Sequence, residues 1–94
     1  MKQKLRRPKK QRRQFNNFVQ EAVEKLIKLL VSEPDAVEVE ESQERGATLI
    51  RLRVAQADMG KLIGREGKTI RALRSLLYAA GQKSGQRIVL EILE

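Results

Sequence analysis

The chain has 94 residues, with 20 Lys and Arg against 12 Asp and Glu and a formal net charge of +8. It has no Cys and no His, which excludes disulfides, thiolate and imidazole metal ligands, thiol nucleophiles and imidazole general bases. Its only aromatics are Phe15, Phe18 and Tyr78, too few for a platform that stacks bases on several rings. No apolar run approaches the roughly 20 residues that span a bilayer, and the charged N-terminus lacks the apolar stretch of a secretory signal. These features predict a soluble cytoplasmic protein with a polyanionic partner, no membrane insertion, no cofactor and no enzymatic activity.

Residues 1–13 carry Lys2, Lys4, Arg6, Arg7, Lys9, Lys10, Arg12 and Arg13 and no acid. The rest of the chain, 14–94, holds 12 basic and 12 acidic side chains. The segment 1–13 has no amphipathic period and cannot bury enough apolar surface to offset its ordering entropy, so it is predicted to be a disordered basic tail. It reads either as an arm that seeks phosphates or as a solubilising extension. Residues 14–94 are predicted to form the folded domain.

Phe15, Phe18, Val19, Ala22, Val23, Leu26, Ile27 and Leu30 recur at helical spacing. Asn17 and Gln20 resemble a capping box, and Pro34 stops the run. The first helix is therefore expected over about 16–32. Val37 and Val39 alternate with Glu38 and Glu40 as a short strand, and Ser42 to Gly46 reads as a loop. Thr48, Ile50, Leu52 and Val54 then alternate with Leu49, Arg51 and Arg53. The two strands form a hairpin whose outward faces pair Glu38 and Glu40 with Arg51 and Arg53.

Asp58 is placed to N-cap a single helical turn, Met59 to Ile63. Gly64-Arg65-Glu66-Gly67 interrupts it, and a further helix presents Ile70, Leu73, Leu76, Leu77 and Ala80 on one face. Gly81 and Gly85 bracket its end, and Ile88, Leu90 and Ile92 mark a last strand. The order is α-β-β-α-α-β. The helical pair is long enough for a crossover, which sets the last strand parallel to the second. The predicted fold class is α+β: a three-stranded mixed sheet with helices on one face.

The segment from Leu62 to Leu73 carries the functional signal. Gly64 and Gly67 let the backbone approach a ligand without Cβ obstruction, and the loop leads into a helix N-terminus that favours phosphate. Lys61, Arg65, Lys68 and Arg71 supply cations, and Ile63, Ile70 and Leu73 an apolar floor. A clamped backbone over an apolar floor suits single-stranded nucleic acid. Glu66 lies inside the loop, where an acid also favours the following helix N-terminus. Arg74 and Lys83 read as solvated surface.

Other readings of the same residues are weaker. The two glycines also fit a plain helix–helix turn. Gly67-Lys68-Thr69 imitates the end of a P-loop, but position 62 is Leu where that pattern needs Gly, and a helical turn precedes the loop instead of a strand. A helix-turn-helix DNA reader would use Met59–Ile63 and Lys68–Ala80, with a first helix too short for the role. A dimerising protein–protein adaptor, with Val89 and Leu93 on the face opposite the helices and RNA contact mainly through the tail, is the remaining alternative.

Ile63, Gly64, Gly67, Ile70, Arg71 and Leu73 match, position for position, the Ile-Gly-x-x-Gly-x-x-Ile-basic-x-apolar signature that the KH domain carries. The element order resembles the type II KH arrangement. The Asp58-Met59-Gly60-Lys61 approach and Leu90-Glu91-Ile92 resemble the small bacterial single-KH proteins of the KhpA family. The resemblance covers about 16–94. It implies an RNA-binding protein gripping short single-stranded RNA through the GxxG loop, with Lys61, Ile63, Gly64, Arg65, Glu66, Gly67, Lys68, Ile70 and Arg71 as the RNA-binding set. It further implies a homodimer, a larger KH-containing partner protein, and a role as a small RNA chaperone or regulator. The basic tail, the acids Glu40, Glu41 and Glu44 beside the groove, and Glu66 in the loop depart from that pattern.

Overall fold

The computed structural model describes residues 9–94, with side chains from Gln14 onward. Helix α1 spans Lys9–Leu30, strand β1 Glu38–Glu44, strand β2 Ala47–Arg53, helix α2 Met59–Ile63, helix α3 Lys68–Ser84 and strand β3 Arg87–Ile92. Single 3₁₀ turns lie at Pro34–Ala36, Gln56–Asp58 and Arg65–Gly67. The sheet order is β1-β2-β3, with β1 antiparallel and β3 parallel to β2. The architecture is the expected α+β arrangement of the type II KH fold. α1 packs on β1, α3 on β3, and α2 touches both helices.

The first helix begins at Lys9, not near residue 16. No Gly or Pro lies between Lys9 and Leu30, and Lys, Arg and Gln are good helix formers, so the helix runs on into the basic segment. Part of the stretch expected to be a disordered tail is therefore helical; residues 1–8 lie outside the described residues. Asn17 sits in the second half of that basic-to-apolar run, inside the helix, and caps nothing. Gln20 instead donates its Nε2 to the Val39 carbonyl at 3.0 Å, tying α1 to the free edge of β1.

The buried stripe of α1 is narrow. Val19, Val23 and Ile27 are buried at i, i+4, i+8 spacing, whereas Phe18 and Leu29 are mostly exposed. They meet Ile50 and Leu52 of β2, Leu62 of α2, Leu73 and Leu77 of α3, and Ile88 and Leu90 of β3 in one core. Thr48, Ile50 and Leu52 alternate inward along β2 while Leu49, Arg51 and Arg53 point away, which is the period-two pattern of a sheet covered on one face.

The hairpin is tighter than its sequence suggests. β1 continues to Glu44, and Arg45 and Gly46 alone make the turn, with φ of 50° and 77°. Two positive-φ residues are what a two-residue type I′ turn requires. The register sets Glu38 opposite Arg53 and Glu40 opposite Arg51, as expected. The Arg51 guanidinium nevertheless turns to Glu44, 2.8 Å away, and to Glu91 on β3 at 3.5 Å. α3 continues through Gly81 to Ser84. Gly85, at φ 68°, closes it by donating to the Gln82 carbonyl, and Gln86 donates to the Gly81 carbonyl at 2.8 Å, the paired bonds of a Schellman motif.

Candidate nucleic-acid interface

α2 is five residues long, far below the length at which a helix stands alone, so packing holds it. Leu62 is fully buried and anchors its inner side. At its start, Asp58 is buried, but it makes no side-chain bond to the helix it precedes. Its two carboxylate oxygens accept the backbone N–H groups of Ser32 at 2.9 Å and Glu33 at 3.0 Å. The expected N-cap is thus a clamp across 26 residues that fixes the exit of α1 against α2. Composition and spacing gave no sign of this, because the partners are main-chain groups distant in sequence.

The amide donated by Ser32, together with that of Glu33 and the ammonium of Lys61, holds the Asp58 carboxyl below its ordinary value of 3.8 despite burial. A carboxyl whose folded value is depressed stabilises the fold above its unfolded pKa, and that contribution is lost as pH falls through the folded value. The stability gap between the native protein and Asp58→Asn should therefore be full at neutral pH and shrink below about pH 4. Urea midpoints measured at several pH values check this; a gap that stays constant down to strong acid would show that the charge of Asp58 has no part in the clamp.

The Asp58 clamp also claims a predicted site residue. Lys61 Nζ is hydrogen-bonded to the Ser32 hydroxyl and lies 3.7 Å from Asp58 Oδ1. Its ammonium is engaged with the α1 exit and is not gathered at the glycine loop.

The loop itself is built by three left-handed residues. Gly64 ends α2 at φ 79°, donating to the Gly60 carbonyl, and Gly67 starts α3 at φ 74°. Between them Glu66 adopts φ 57° and ψ 25°, a region sparsely used by residues other than glycine. A Cβ on Gly64 would meet the Thr69 side chain and would lie 2.8 Å from the Thr69 backbone nitrogen. A Cβ on Gly67 would come within 3.3 Å of Arg71 Nη1, which places the Arg71 guanidinium over the end of the loop. No side chain caps the N-terminus of α3.

Arg65, Glu66, Lys68 and Arg71 are exposed around this bare backbone. Among the described residues none of these cations forms an ion pair within 4.0 Å. Ile63 is 40% exposed beside the loop, whereas Ile70 and Leu73 are buried in the core. The accessible apolar floor is therefore Ile63, and Ile70 supports the loop from beneath. Among the described residues no cluster of three or more acidic, His or Cys side chains is placed to hold a metal ion, and no helix is long and apolar enough to cross a membrane. The chemistry on offer is non-covalent: unpaired cations and free helix N–H groups beside a backbone that a polyanion can approach closely.

The family model described as "KhpA/KhpB, KH domain" matches residues 20–92. The chain is similar to the RNA-binding protein KhpA of Aquifex aeolicus, 46% identical over 76 residues covering 81% of this chain and 96% of that one. It is similar to the RNA-binding protein KhpA of Caldanaerobacter subterraneus, 44% identical with 78% and 97% covered, and to that of Borreliella burgdorferi, 39% identical with 87% and 99% covered. No solved structure matches it. The matched span takes in the whole sheet, both crossover helices and the glycine loop, at identities of two residues in five or better, and so the chain belongs to the KhpA/KhpB KH-domain family.

Proposed function

We propose that this protein binds single-stranded RNA, with Gly64 to Gly67 as the clamp on the sugar-phosphate chain. The single observation that carries the reading is the loop: a backbone kept free of Cβ atoms by positive-φ glycines and ringed by the unpaired cations Arg65, Lys68 and Arg71. KH modules hold about four nucleotides in this way. The KhpA relatives named as RNA-binding proteins support it. Ile63 offers a base an apolar surface, and Glu66, at the start of α3, favours the helix more than it does the ligand.

A homodimer, a KH-containing partner, a cytoplasmic role as RNA chaperone and added affinity from the basic N-terminal segment extend the same proposal. A second tethered contact raises avidity without altering the loop. The pairing of KhpA with KhpB in the family description and the exposed Leu29 and Leu76 support the first two, and light scattering of the purified chain reads the dimer directly.

The test is fluorescence anisotropy of a labelled single-stranded RNA with the full chain and with its Arg65→Asp, Lys68→Glu variant. Binding should fall at least tenfold at low salt while circular dichroism stays unchanged. The slope of log affinity against log salt should flatten by up to about 1.4, at roughly 0.7 per lost phosphate contact on a single strand. Unchanged affinity and slope would move RNA contact to the N-terminal segment and return the domain to a protein-docking role.

A further inference from the structure

The cations along α3 do not stop at the loop. Arg71, Arg74 and Tyr78 follow one another at i, i+3 and i+7, so they share one face of the helix. That face begins at Gly67, over which Arg71 lies, and reaches Tyr78 about 16 Å further on, at 1.5 Å of rise per residue. There it borders a groove of about 810 Å³ between α3 and β3, lined among others by Arg74, Tyr78, Gln82, Arg87 and Val89.

Three features of this groove are unexplained by packing. The Tyr78 ring is 65% exposed, although only three aromatic residues exist in the chain. Arg74 and Arg87 flank it and form no ion pair among the described residues. Glu91, the acid on the neighbouring strand, is taken by Arg51. Finally, β3 is an edge strand, hydrogen-bonded to β2 on one side only. An accessible ring between two unpaired guanidinium groups, beside free main-chain groups, suits a base with a phosphate on either side. The apolar alternative, a bare hydrophobic face, would not place both arginines here.

We infer that the α3–β3 groove is a second RNA subsite, continuous with the glycine loop, in which a base stacks on Tyr78 while Arg74 and Arg87 hold the adjoining phosphates. The inference rests on the RNA reading of the loop and lengthens its footprint beyond the nucleotides that the loop clamps.

Tyr78 is the only tyrosine and there is no tryptophan, so the intrinsic emission of the full chain reports this ring alone. The probes are single-stranded RNAs of about four and about ten nucleotides, with anisotropy recording occupancy independently. Saturation with the longer RNA should quench Tyr78 emission, and saturation with the shorter one should not. Tyr78→Ala should weaken the longer RNA roughly tenfold, the usual scale for one stacked base, and leave the shorter unchanged. Tyr78→Phe should bind both like the native chain. Unaltered emission at saturation, or equal affinity of Tyr78→Ala for the longer RNA, overturns the subsite and leaves the groove to a peptide strand on the open edge of β3. Failure of the loop reading looks different: Arg65→Asp with Lys68→Glu then binds normally while Tyr78 is still quenched.

Discussion

Gly64→Ala is expected to abolish RNA binding and to destabilise the domain by about 3 kcal/mol. A left-handed conformation costs a side-chain-bearing residue roughly 1–2 kcal/mol, and forcing atoms into a packed site roughly 1–3 kcal/mol more. Both apply here, since Gly64 has φ 79° and its added carbon would press on Thr69. Thr69→Ala in the same chain should not restore the loop. It removes the hydroxyl, but the Thr69 Cβ at 2.7 Å and the backbone nitrogen at 2.8 Å remain in place. Urea unfolding and RNA anisotropy on the single and double variants check this; near-native stability of Gly64→Ala would show that the turn does not need glycine.

The second large effect is Leu62→Ala. Leu62 is one of the few completely buried side chains and the anchor of a helix too short to persist without it. Truncating such a leucine costs about 2.7–5 kcal/mol, a large share of the 5–15 kcal/mol that ordinarily separates a folded domain from its unfolded chain. The urea midpoint should drop with little change in slope, and RNA binding should weaken because α2 carries Ile63 and opens into Gly64. Leu62→Met keeps the volume and should cost less than about 1.5 kcal/mol. A Leu62→Ala variant as stable as the native chain would mean that α2 is held by the Asp58 clamp alone.

Much of this architecture is legible in the sequence because it is written in local patterns. Alternation along Thr48–Val54 and Arg87–Ile92 marks two strands, and the helical pair between them requires a crossover and hence a parallel pairing. The spacing of Gly64 and Gly67 marks the loop. The misreadings share a physical cause. The start of α1 was obscured by a run of like charge, which says little against helix when the residues are Lys, Arg and Gln. Phe18 and Leu29 fit a helical period yet lie outside the buried stripe, since period alone does not set how wide a face the core accepts. Lys61 and Asp58 are claimed by main-chain and hydroxyl groups of the α1 exit, contacts that only the tertiary fold creates. Arg74 looked like ordinary surface until the turn at Gly85 brought Arg87 and the edge of β3 alongside Tyr78.

The parallel register joins Ala47 to Arg87 and Leu52 to Ile92, so every β2–β3 pair spans about 40 residues of chain. The β1–β2 hairpin closes through two residues and can form as soon as it is made, whereas the parallel pairing must wait for the chain's last strand. α2, the glycine loop and α3 all lie inside that late closure. On the ribosome, then, the glycine sequence emerges well before the surface that shapes it. A nascent chain lacking β3 displays Gly64 and Gly67 without the α3–β3 packing that orients them, and competence to hold RNA arrives with the release of the completed chain.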